Sequence, residues 1–402
     1  MNDQIKNFRI DVAAAEALIA DAMPDFGTQR VPLHEAANQV LAQPIVAERD
    51  QPPFNRATMD GIAVALKEQR SFAVSGIQAA GQDQSSLPDE ASCIETMTGA
   101  VMPAGSDTMI PVERIAIDNG IATLEDGYNP EPGQFIHPRA SDHSAGDLLL
   151  EPGVMINAAE MAILTAAGQP EVEITKWPEI AIVSTGDELV DVGAPMTDAQ
   201  IRSSNDRAIE TAFHNRGCTT TRRHHLPDDP QELLRQVRML HDECGVLILS
   251  GGVSMGKYDY VPAILNELNI TVVFHKILQR PGLPMWFGVS TDNKPVFALP
   301  GNPVSTLVCL TRYVLPALFK AMGRLPKPEY VRLQSAVEFK PDLCWFLPVA
   351  VHSDSEGNML AEPRPTNTSG DFIGLRGTDG FIELPRGNDN FAAGYAARLY
   401  RW

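Results

Sequence analysis

The sequence has few of the residues that build metal-thiolate or disulfide scaffolds. Only 5 of its 402 residues are cysteine, and they are scattered without a C-x-x-C pair: Cys93, Cys218, Cys244, Cys309 and Cys344. Neither a zinc site nor a disulfide framework is indicated. We therefore expect a protein of the reducing cytoplasm.

Basic residues and long apolar runs are also scarce. Lys and Arg number 32 against 51 Asp and Glu, which gives a formal net charge of −19. A diffuse attraction to nucleic acid or to an anionic membrane is therefore not expected, and an anionic ligand would need a local cation. No apolar run is long enough to cross a bilayer, and the opening MNDQIKN lacks the basic-then-apolar order of a signal peptide. We expect neither secretion nor a membrane anchor.

Several catalytic signatures are missing as well. The chain has no nucleophile elbow, no Walker A loop and no complete G-x-G-x-x-G fingerprint. This argues against a hydrolase, a P-loop kinase and a dinucleotide dehydrogenase. Of the 9 histidines only His224 and His225 are close together, and adjacent side chains diverge, so a transition-metal site has little support.

What the sequence does contain is the composition of a globular protein of two or more domains, with 44% hydrophobic and 21% charged residues. Helical spacing of apolar residues predicts helices over 11–23, 33–41 and 153–168, the last with Gly168 as its C-cap. Between the second and third, short apolar runs punctuated by Gly and Pro predict a β-rich domain.

The second half of the chain predicts a different architecture. From Glu179 to Gly323 strands and helices alternate, which is typical of a doubly wound parallel sheet. A Pro-containing junction follows at 324–330, and the strand-like pieces after it predict a small C-terminal β domain.

Three strands of the predicted sheet run into unusual loops, and ligands of open parallel sheets bind at such carboxyl ends. These loops begin Thr185-Gly186-Asp187-Glu188, Gly251-Gly252-Val253-Ser254 and Pro300-Gly301-Asn302. Glycine has no side chain, so backbone N–H groups beside it can point at an anion. A helix that begins at Pro303 would have an N-terminus suited to binding phosphate. Each loop alone has an ordinary reading as an acidic turn, a tight turn or a capped helix. Three together in one sheet favour a binding site.

The charged residues near these loops predict an anion site with a cation. Lys276 and Arg280 either are solvated or neutralise an oxyanion. A bound anion beside Asp187, Glu188 and Asp259 would be repelled unless a divalent cation bridged them, and oxygen ligands alone point to Mg²⁺.

The string from Pro52 to Gly61 resembles neither a strand nor a helix. Its prolines fix the chain, and the Asp60-Gly61 pair predicts a turn that presents Asp60. The string is either a rigid structural loop or a binding loop. Another turn-rich stretch begins at Thr98.

Taken together, the segments PPFNRATMDGIAV, MTGAVMPAGSDTMIPVE, STGDEL, SGGVSMGKYDYV, RPGLPMWFG and LPGNPVST resemble, in order and spacing, the MoeA family of molybdopterin molybdenumtransferases, which includes the E domain of gephyrin. The resemblance covers nearly the whole chain. It implies a multidomain α/β protein: a helical linker domain (1–45 and 139–177), an inserted β-rich domain (46–138), a doubly wound α/β domain like that of MogA (178–326) and a β-barrel-like C-terminal domain (327–402).

The resemblance also implies a homodimer and a reaction. The family inserts molybdate into adenylylated molybdopterin, with Mg²⁺-dependent release of AMP. Transient contacts with a MogA-type adenylyltransferase and with molybdoenzyme-maturation proteins are implied, and a nucleic acid or membrane partner is not. The inserted domain of one subunit is expected to reach the pocket of the other, bringing Asp60 and Thr98 to Glu188 and Asp259.

The site residues that follow from this resemblance fall into three sets. The catalytic set is Asp60, Thr98, Glu188 and Asp259, and the metal set is Asp187, Glu188 and Asp259. The substrate-binding set is Asp142, Thr185, Gly186, Asp187, Asp228, Gly251, Gly252, Ser254, Lys276, Arg280, Pro300, Gly301, Asn302 and Ser369. Asp228 has an equal reading as the N-cap of a helix that begins at Pro230.

The chain departs from the family pattern at three places. Leu283 stands where the PGKP motif usually has lysine, Ile62 stands where an aromatic residue is common, and the tail around Arg364 and Ser369 follows the family only loosely. Two alternatives remain. One is a non-catalytic molybdopterin-binding scaffold, because the resemblance includes gephyrin, in which this fold also serves protein binding. The other, based on Leu283, is a diverged enzyme acting on another adenylylated ligand.

Overall fold

The computed structural model of the chain describes residues 9–252, 260–324 and 327–402. Its α-helices in chain order are α1 (Val12–Ala22), α2 (Ala158–Ala166), α3 (Asn205–His214), α4 (Pro230–Glu243), α5 (Val261–Glu267), α6 (Pro303–Cys309) and α7 (Leu315–Ala321). A π-helical turn, Leu310–Val314, joins α6 to α7, and 3₁₀ turns occupy Leu33–Glu35, Val112–Arg114 and Phe372–Leu375.

The strands fall into three stretches of sequence. The first stretch holds β1 (Thr28–Pro32), β2 (Ile45–Val46), β3 (Arg56–Ala57), β4 (Gly61–Val64), β5 (Ser71–Gln78), β6 (Ser92–Thr96), β7 (Thr108–Pro111), β8 (Ile115–Asp118), β9 (Ile121–Leu124), β10 (Ile136–His137) and β11 (Leu148–Leu150). The second holds β12 (Glu171–Thr175), β13 (Ile180–Thr185), β14 (Leu189–Val190), β15 (Ile201–Arg202), β16 (Thr221–Leu226), β17 (Val246–Ser250), β18 (Thr271–His275), β19 (Gln279–Arg280), β20 (Trp286–Val289) and β21 (Pro295–Leu299). The third holds β22 (Glu329–Leu333), β23 (Val337–Glu338), β24 (Cys344–Ser353), β25 (Met359–Pro363), β26 (Gly380–Leu384), β27 (Asn390–Phe391) and β28 (Ala396–Arg401).

The chain folds into two compact units. The larger unit contains residues up to Ala42, then 152–158 and 171–402, and the smaller unit contains 43–151 and 159–170. The four domain boundaries expected from the sequence stay a prediction.

The larger unit contains the predicted doubly wound sheet, in the order β16-β13-β17-β21-β20-β18. The first four strands are parallel, and β20 and β18 continue the sheet antiparallel. Every residue of β13 and β17 is buried, which shows that other elements cover both faces of the sheet. The strand order reverses at β13, since β16 lies on one side of it and β17 on the other. Open parallel sheets bind ligands at such a reversal point.

The C-terminal part of the larger unit is a closed barrel of five strands. Pairing runs β24-β25-β22-β28-β26 and returns from β26 to β24, which leaves no free edge within the ring. The barrel has its own core, formed by inward residues such as Leu347, Val349 and Ile382. This confirms the predicted C-terminal β domain.

The smaller unit contains a six-stranded sheet, β7-β4-β6-β5-β9-β8, which confirms the predicted β-rich region. Its core includes Ile62, Phe72 and Ile110. Ile62 is fully buried.

One predicted helix is wrong. The segment 33–41 forms only a short 3₁₀ turn, Leu33–Glu35. Its remaining backbone bonds across to other segments instead, with the N–H of Asn38 donating to Ile156 and that of Leu41 to Val154. Tertiary pairing therefore overrode the helical spacing of the apolar side chains.

One helical stretch, Pro303–Ala321, is long and apolar enough to cross a membrane among the residues searched, and 78% of its window is buried inside the protein. Such burial is typical of a core helix. The π-helical turn in its middle has a local cause. Pro316 lacks the N–H that would bond the carbonyl of Arg312, and its ring clashes with that carbonyl, so the helix widens there.

A buried arginine on that turn joins three elements of the larger unit. The side chain of Arg312 is 3% exposed and pairs with Glu16 of α1 at 2.8 Å and with Glu383 of β26 at 2.9 Å. Its guanidinium carbon also lies 5.0 Å from the ring centre of Tyr400 in β28. Burial lowers the pKa of Arg312, but Glu383 and the other nearby groups outweigh this and raise it overall. The guanidinium therefore stays protonated. Its ion pairs with Glu16 and Glu383 hold α1 and the barrel against the helical stretch Pro303–Ala321.

Gly61 is needed for strand packing rather than for a turn. It begins β4, which lies between β6 and β7, and a Cβ added to it would lie 1.9 Å from the carbonyl oxygen of Ile110. The predicted turn at Asp60-Gly61 is thus a bend that enters β4. Only glycine allows the neighbouring strand to approach so closely.

We expect Gly61→Ala to lower the free energy of unfolding by about 3 kcal/mol or more, because neighbouring backbone must move. Urea denaturation followed by circular dichroism measures this. Gly76→Ala is the matched control, because a Cβ at Gly76 in β5 would meet nothing within 4 Å. Equal stability of the two variants would contradict this account of Gly61.

Candidate active site

A cavity of about 1,370 Å³ lies in the larger unit between the carboxyl edge of the parallel sheet and the barrel. The three predicted loops meet at this edge because the strands are in register there. Ser184 pairs with Ser250, and Ser250 pairs with Leu299. The cavity lining contains these predicted residues: Thr185, Gly186, Glu188, Asp228, Gly251, Gly252, Arg280, Pro300, Gly301, Asn302 and Ser369.

Gly251 and Gly252 allow two of these loops to touch. Both have left-handed backbone conformations, with φ of 102° and 67°. A Cβ on Gly251 would lie 2.8 Å from the carbonyl oxygen of Thr185. Side chains at these positions would therefore separate the loops and fill the floor of the cavity.

Two buried hydroxyl groups in the lining have no hydrogen-bond partner among the described residues. They are Ser184 Oγ and Thr185 Oγ1, on residues that are 1% and 5% exposed. A buried hydroxyl without a partner carries a desolvation cost of about 1–3 kcal/mol. Both lie at the strand end where a ligand would sit, so a polar ligand in the cavity would remove that cost.

The acidic side of the cavity is formed by the loop after β13. The Glu188 carboxylate folds back over Gly186, where an added Cβ would lie 2.5 Å from Oε2. Asp187 Oδ1 accepts the backbone N–H of Asp228 at 3.1 Å. No ion pair involves Glu188 or Asp187 among the residues described. These carboxylates are hard oxygen donors of the kind that Mg²⁺ prefers.

The N-cap of α4 is Asp229, so the alternative reading of Asp228 is wrong. Asp229 accepts the N–H of Glu232 at 2.8 Å. Asp228 is part of the cavity lining. His224 and His225 lie on the edge strand β16, and His225 Nε2 donates to the carbonyl of Gly186 at 2.9 Å.

Two positively charged side chains, those of Arg202 and Arg280, occur among the described residues that line the cavity. Arg202 already donates to the carbonyls of Asp191 and Ala194. Arg280 is exposed and pairs with no carboxylate in the described part of the chain. Lys276 is absent from the described lining, so its predicted role is not supported by position. Arg280 is the cation that a bound oxyanion would meet.

The barrel loop reaches the cavity through Ser369. Its Oγ accepts from Asn302 Nδ2 at 2.7 Å, and its carbonyl accepts the N–H of Val304 at 3.0 Å. A barrel residue therefore accepts one of the backbone N–H groups in the first turn of α6. Arg364 instead pairs with Glu362 at 2.9 Å and is outside the described lining.

Three predicted residues lie in the smaller unit. Asp60 accepts both the backbone N–H of Thr98 at 2.6 Å and its hydroxyl at 2.7 Å. These two hydrogen bonds hold the pKa of Asp60 below its usual value, so Asp60 stays ionised. Asp142 accepts from His137 Nε2 at 2.9 Å, because Arg56 donates to Nδ1 of that ring. Two further predictions, Asp259 and Ser254, lie outside the described residues.

The sequence reasoning missed residues that hold the loops together. Asn205 Nδ2 donates to Ser250 Oγ at 2.9 Å and to the carbonyl of Gly301 at 2.8 Å. Gln279 is fully buried and lines the cavity. No motif marks either residue, since Asn205 reads as the start of a helix and Gln279 as part of a short strand.

Family models match three consecutive parts of the chain. The MoeA N-terminal region (domain I and II) matches residues 10–168, a family described as "Probable molybdopterin binding domain" matches 181–320, and the MoeA C-terminal region (domain IV) matches 330–401.

Relatives match the chain from end to end. A molybdopterin molybdenumtransferase of Synechocystis sp. is 40% identical over 398 residues, covering 98% of this chain and 100% of the relative. The enzyme of that name from Synechococcus elongatus is 30% identical, covering 95% and 96%. Among solved structures, the MoeA molybdopterin biosynthesis protein of Pyrococcus horikoshii has a TM-score of 0.81 at 28% identity, covering 98% of this chain and 99% of that one. With full-length relatives and three family models in order along the sequence, the chain belongs to the MoeA family.

Proposed function

We propose that this protein is a molybdopterin molybdenumtransferase of molybdenum cofactor biosynthesis. It inserts molybdate into adenylylated molybdopterin, cleaves the pyrophosphate bond of that substrate and releases AMP. The observation that carries this proposal is the cavity at the sheet edge, lined by the carboxylate of Glu188, the guanidinium of Arg280 and the hydroxyls of Ser184 and Thr185. These two hydroxyls have no hydrogen-bond partner among the residues that the structure describes. The activity stated in the names of the relatives supports it.

Each side of the cavity suits a different part of the substrate. Backbone N–H groups of Gly252, Gly301 and Asn302 would hold phosphate and pterin groups, whereas the N–H of Gly251 already donates to the carbonyl of Leu299 at 3.3 Å. Arg280 would attract molybdate or another oxyanion. Mg²⁺ held by Glu188 and Asp187, with Asp259 as the further predicted ligand, would offset the negative charge of the phosphates.

We also propose a homodimer with composite sites, in which Asp60 and Thr98 of one subunit complete the cavity of the other. A MogA-type adenylyltransferase and molybdoenzyme-maturation proteins are the proposed transient partners. A cytoplasmic location is supported by five free, buried cysteines. Burial raises the pKa of the Cys93 and Cys244 thiols to about 11, so these thiols are inert core groups.

The direct experiment incubates the purified protein with adenylylated molybdopterin, Mg²⁺ and molybdate, and follows AMP. Release that depends on both Mg²⁺ and molybdate supports the transferase. Binding of the substrate without any AMP release would favour a non-catalytic scaffold instead.

We expect Glu188→Gln to slow Mg²⁺-dependent AMP release by on the order of a hundredfold, because the amide is a poorer metal ligand. The thermal midpoint should stay nearly unchanged. Glu338→Gln is the matched control, since Glu338 lines the same cavity but pairs with Lys340 at 3.2 Å. Equal turnover of Glu188→Gln and the unmodified protein would remove Glu188 from the reaction.

The composite site predicts complementation between two inactive variants. After subunit exchange, a mixture of Asp60→Ala and Glu188→Ala should recover about a quarter of the original activity, because half of the dimers would each have one intact site. Each parent taken through the same exchange is the control. A mixture that exchanges subunits, shown by size or label, yet stays inactive would refute the shared site.

Leu283 lines the cavity beside Arg280, so a cation placed there should help to hold an oxyanion. We expect Leu283→Lys to lower the molybdate concentration for half-maximal AMP release about fivefold, equivalent to about 1 kcal/mol of screened attraction. Leu283→Met, which keeps an apolar side chain, is the control. No change, or loss of activity with lysine alone, would favour a diverged substrate that contacts Leu283 through an apolar group.

A further inference from the structure

One buried glutamine, Gln279, connects the turn that carries Arg280 to the helical stretch Pro303–Ala321. Gln279 precedes Arg280 in β19 and has no exposed surface. Its Nε2 donates to the carbonyl of Pro281 at 3.0 Å and contacts Cys309 Sγ at 3.6 Å. Its Oε1 accepts the hydroxyl of Tyr313. The amide therefore bonds at both ends, which fixes its orientation.

Tyr313 reaches this amide because it lies on the π-helical turn next to Arg312. Its ring is 2% exposed, and the guanidinium carbon of Arg312 lies 5.2 Å from the ring centre. Burial raises the pKa of Tyr313 well above its ordinary value, so the hydroxyl remains a donor. The ring therefore lies against the same guanidinium that pairs with Glu16 and Glu383.

The turn itself has no room to shift toward the helix. A Cβ added to Gly282 would lie 2.6 Å from Cys309 Sγ and 2.7 Å from Gln279 Nε2. On its other side, Arg280 pairs along the strand with Trp345 of the barrel. The Arg280–Leu283 turn is thus held between the helix and the barrel, with Gln279 as its buried anchor.

We propose that Gln279 and Tyr313 are positioning residues that hold the Arg280–Leu283 turn so that Arg280 faces an oxyanion in the cavity. The identity of that oxyanion as molybdate rests on the proposed function. The competing reading is an ordinary polar pair that only stabilises the core. The two differ in where the effect appears: a positioning pair changes oxyanion affinity, whereas a core pair changes stability alone.

The chain offers a matched pair of variants that separates these readings. Tyr313 and Tyr400 are both buried, both lie against Arg312, and each donates one side-chain hydrogen bond, to Gln279 and to Glu383 respectively. Only Tyr313 contacts the anchor of the turn. Tyr313→Phe and Tyr400→Phe each remove one hydroxyl and should lower the thermal midpoint by similar amounts.

The measurement is isothermal titration of each full-length variant with sodium molybdate alone. We expect Tyr313→Phe to weaken molybdate binding about fivefold, as expected for one lost hydrogen bond, and Tyr400→Phe to leave it unchanged. Gln279→Met, which keeps the length of the side chain but neither hydrogen bond, should weaken binding at least as much and replaces Tyr313→Phe should that variant fail to fold. Arg280→Gln should abolish most of the binding.

Equal molybdate affinity in the Tyr313→Phe and Tyr400→Phe variants would overturn the proposal, and so would unchanged affinity in Gln279→Met. An unmodified protein that binds no molybdate would overturn it too, because Arg280 would then hold no such oxyanion. Failure of the transferase function is a separate outcome: the protein would bind molybdate, with the expected differences among variants, yet release no AMP.

Discussion

The structure of the larger unit depends on one buried positive charge. Arg312 lies in the middle of the longest apolar helical stretch, where an unpaired guanidinium would be very costly. It is kept because Glu16 and Glu383 reach it from α1 and from the barrel, and because tyrosine rings cover its faces. The cost of burying that charge is offset only when all three elements are in place, so the pairing specifies how they assemble.

The cavity follows from that assembly and from the register of the parallel sheet. Parallel strands that end level with each other bring loops from distant parts of the chain to one edge. The barrel closes the opposite side, and Ser369 bonds to the start of α6 from there. Although the net charge of the chain is −19, an anion at this edge would meet hydroxyls, loop N–H groups and Arg280 gathered in one place.

Two kinds of residue share this site. Those that face the cavity, such as Thr185 and Glu188, are polar and have few partners within the described part of the chain, as a ligand site requires. Others, such as Asn205 and Gln279, use side-chain hydrogen bonds to fix the loops. Under the proposed function the first kind would supply the chemistry, and the second would set the geometry in which it acts.

The sequence by itself determined the alternating α/β region, the C-terminal β domain and most of the cavity loops, because strand hydrophobicity, glycine turns and a family resemblance are local or ordered features. Tertiary structure decided the rest. The segment 33–41 has helical spacing of its apolar residues, yet its backbone pairs with distant segments instead. Asp229, not Asp228, is the N-cap of α4. Gln279 and Tyr313 are separated by 34 residues, so no periodicity or spacing joins them. Their meeting depends on a proline-widened helix and a buried charge, and such interactions exist only once the chain has folded.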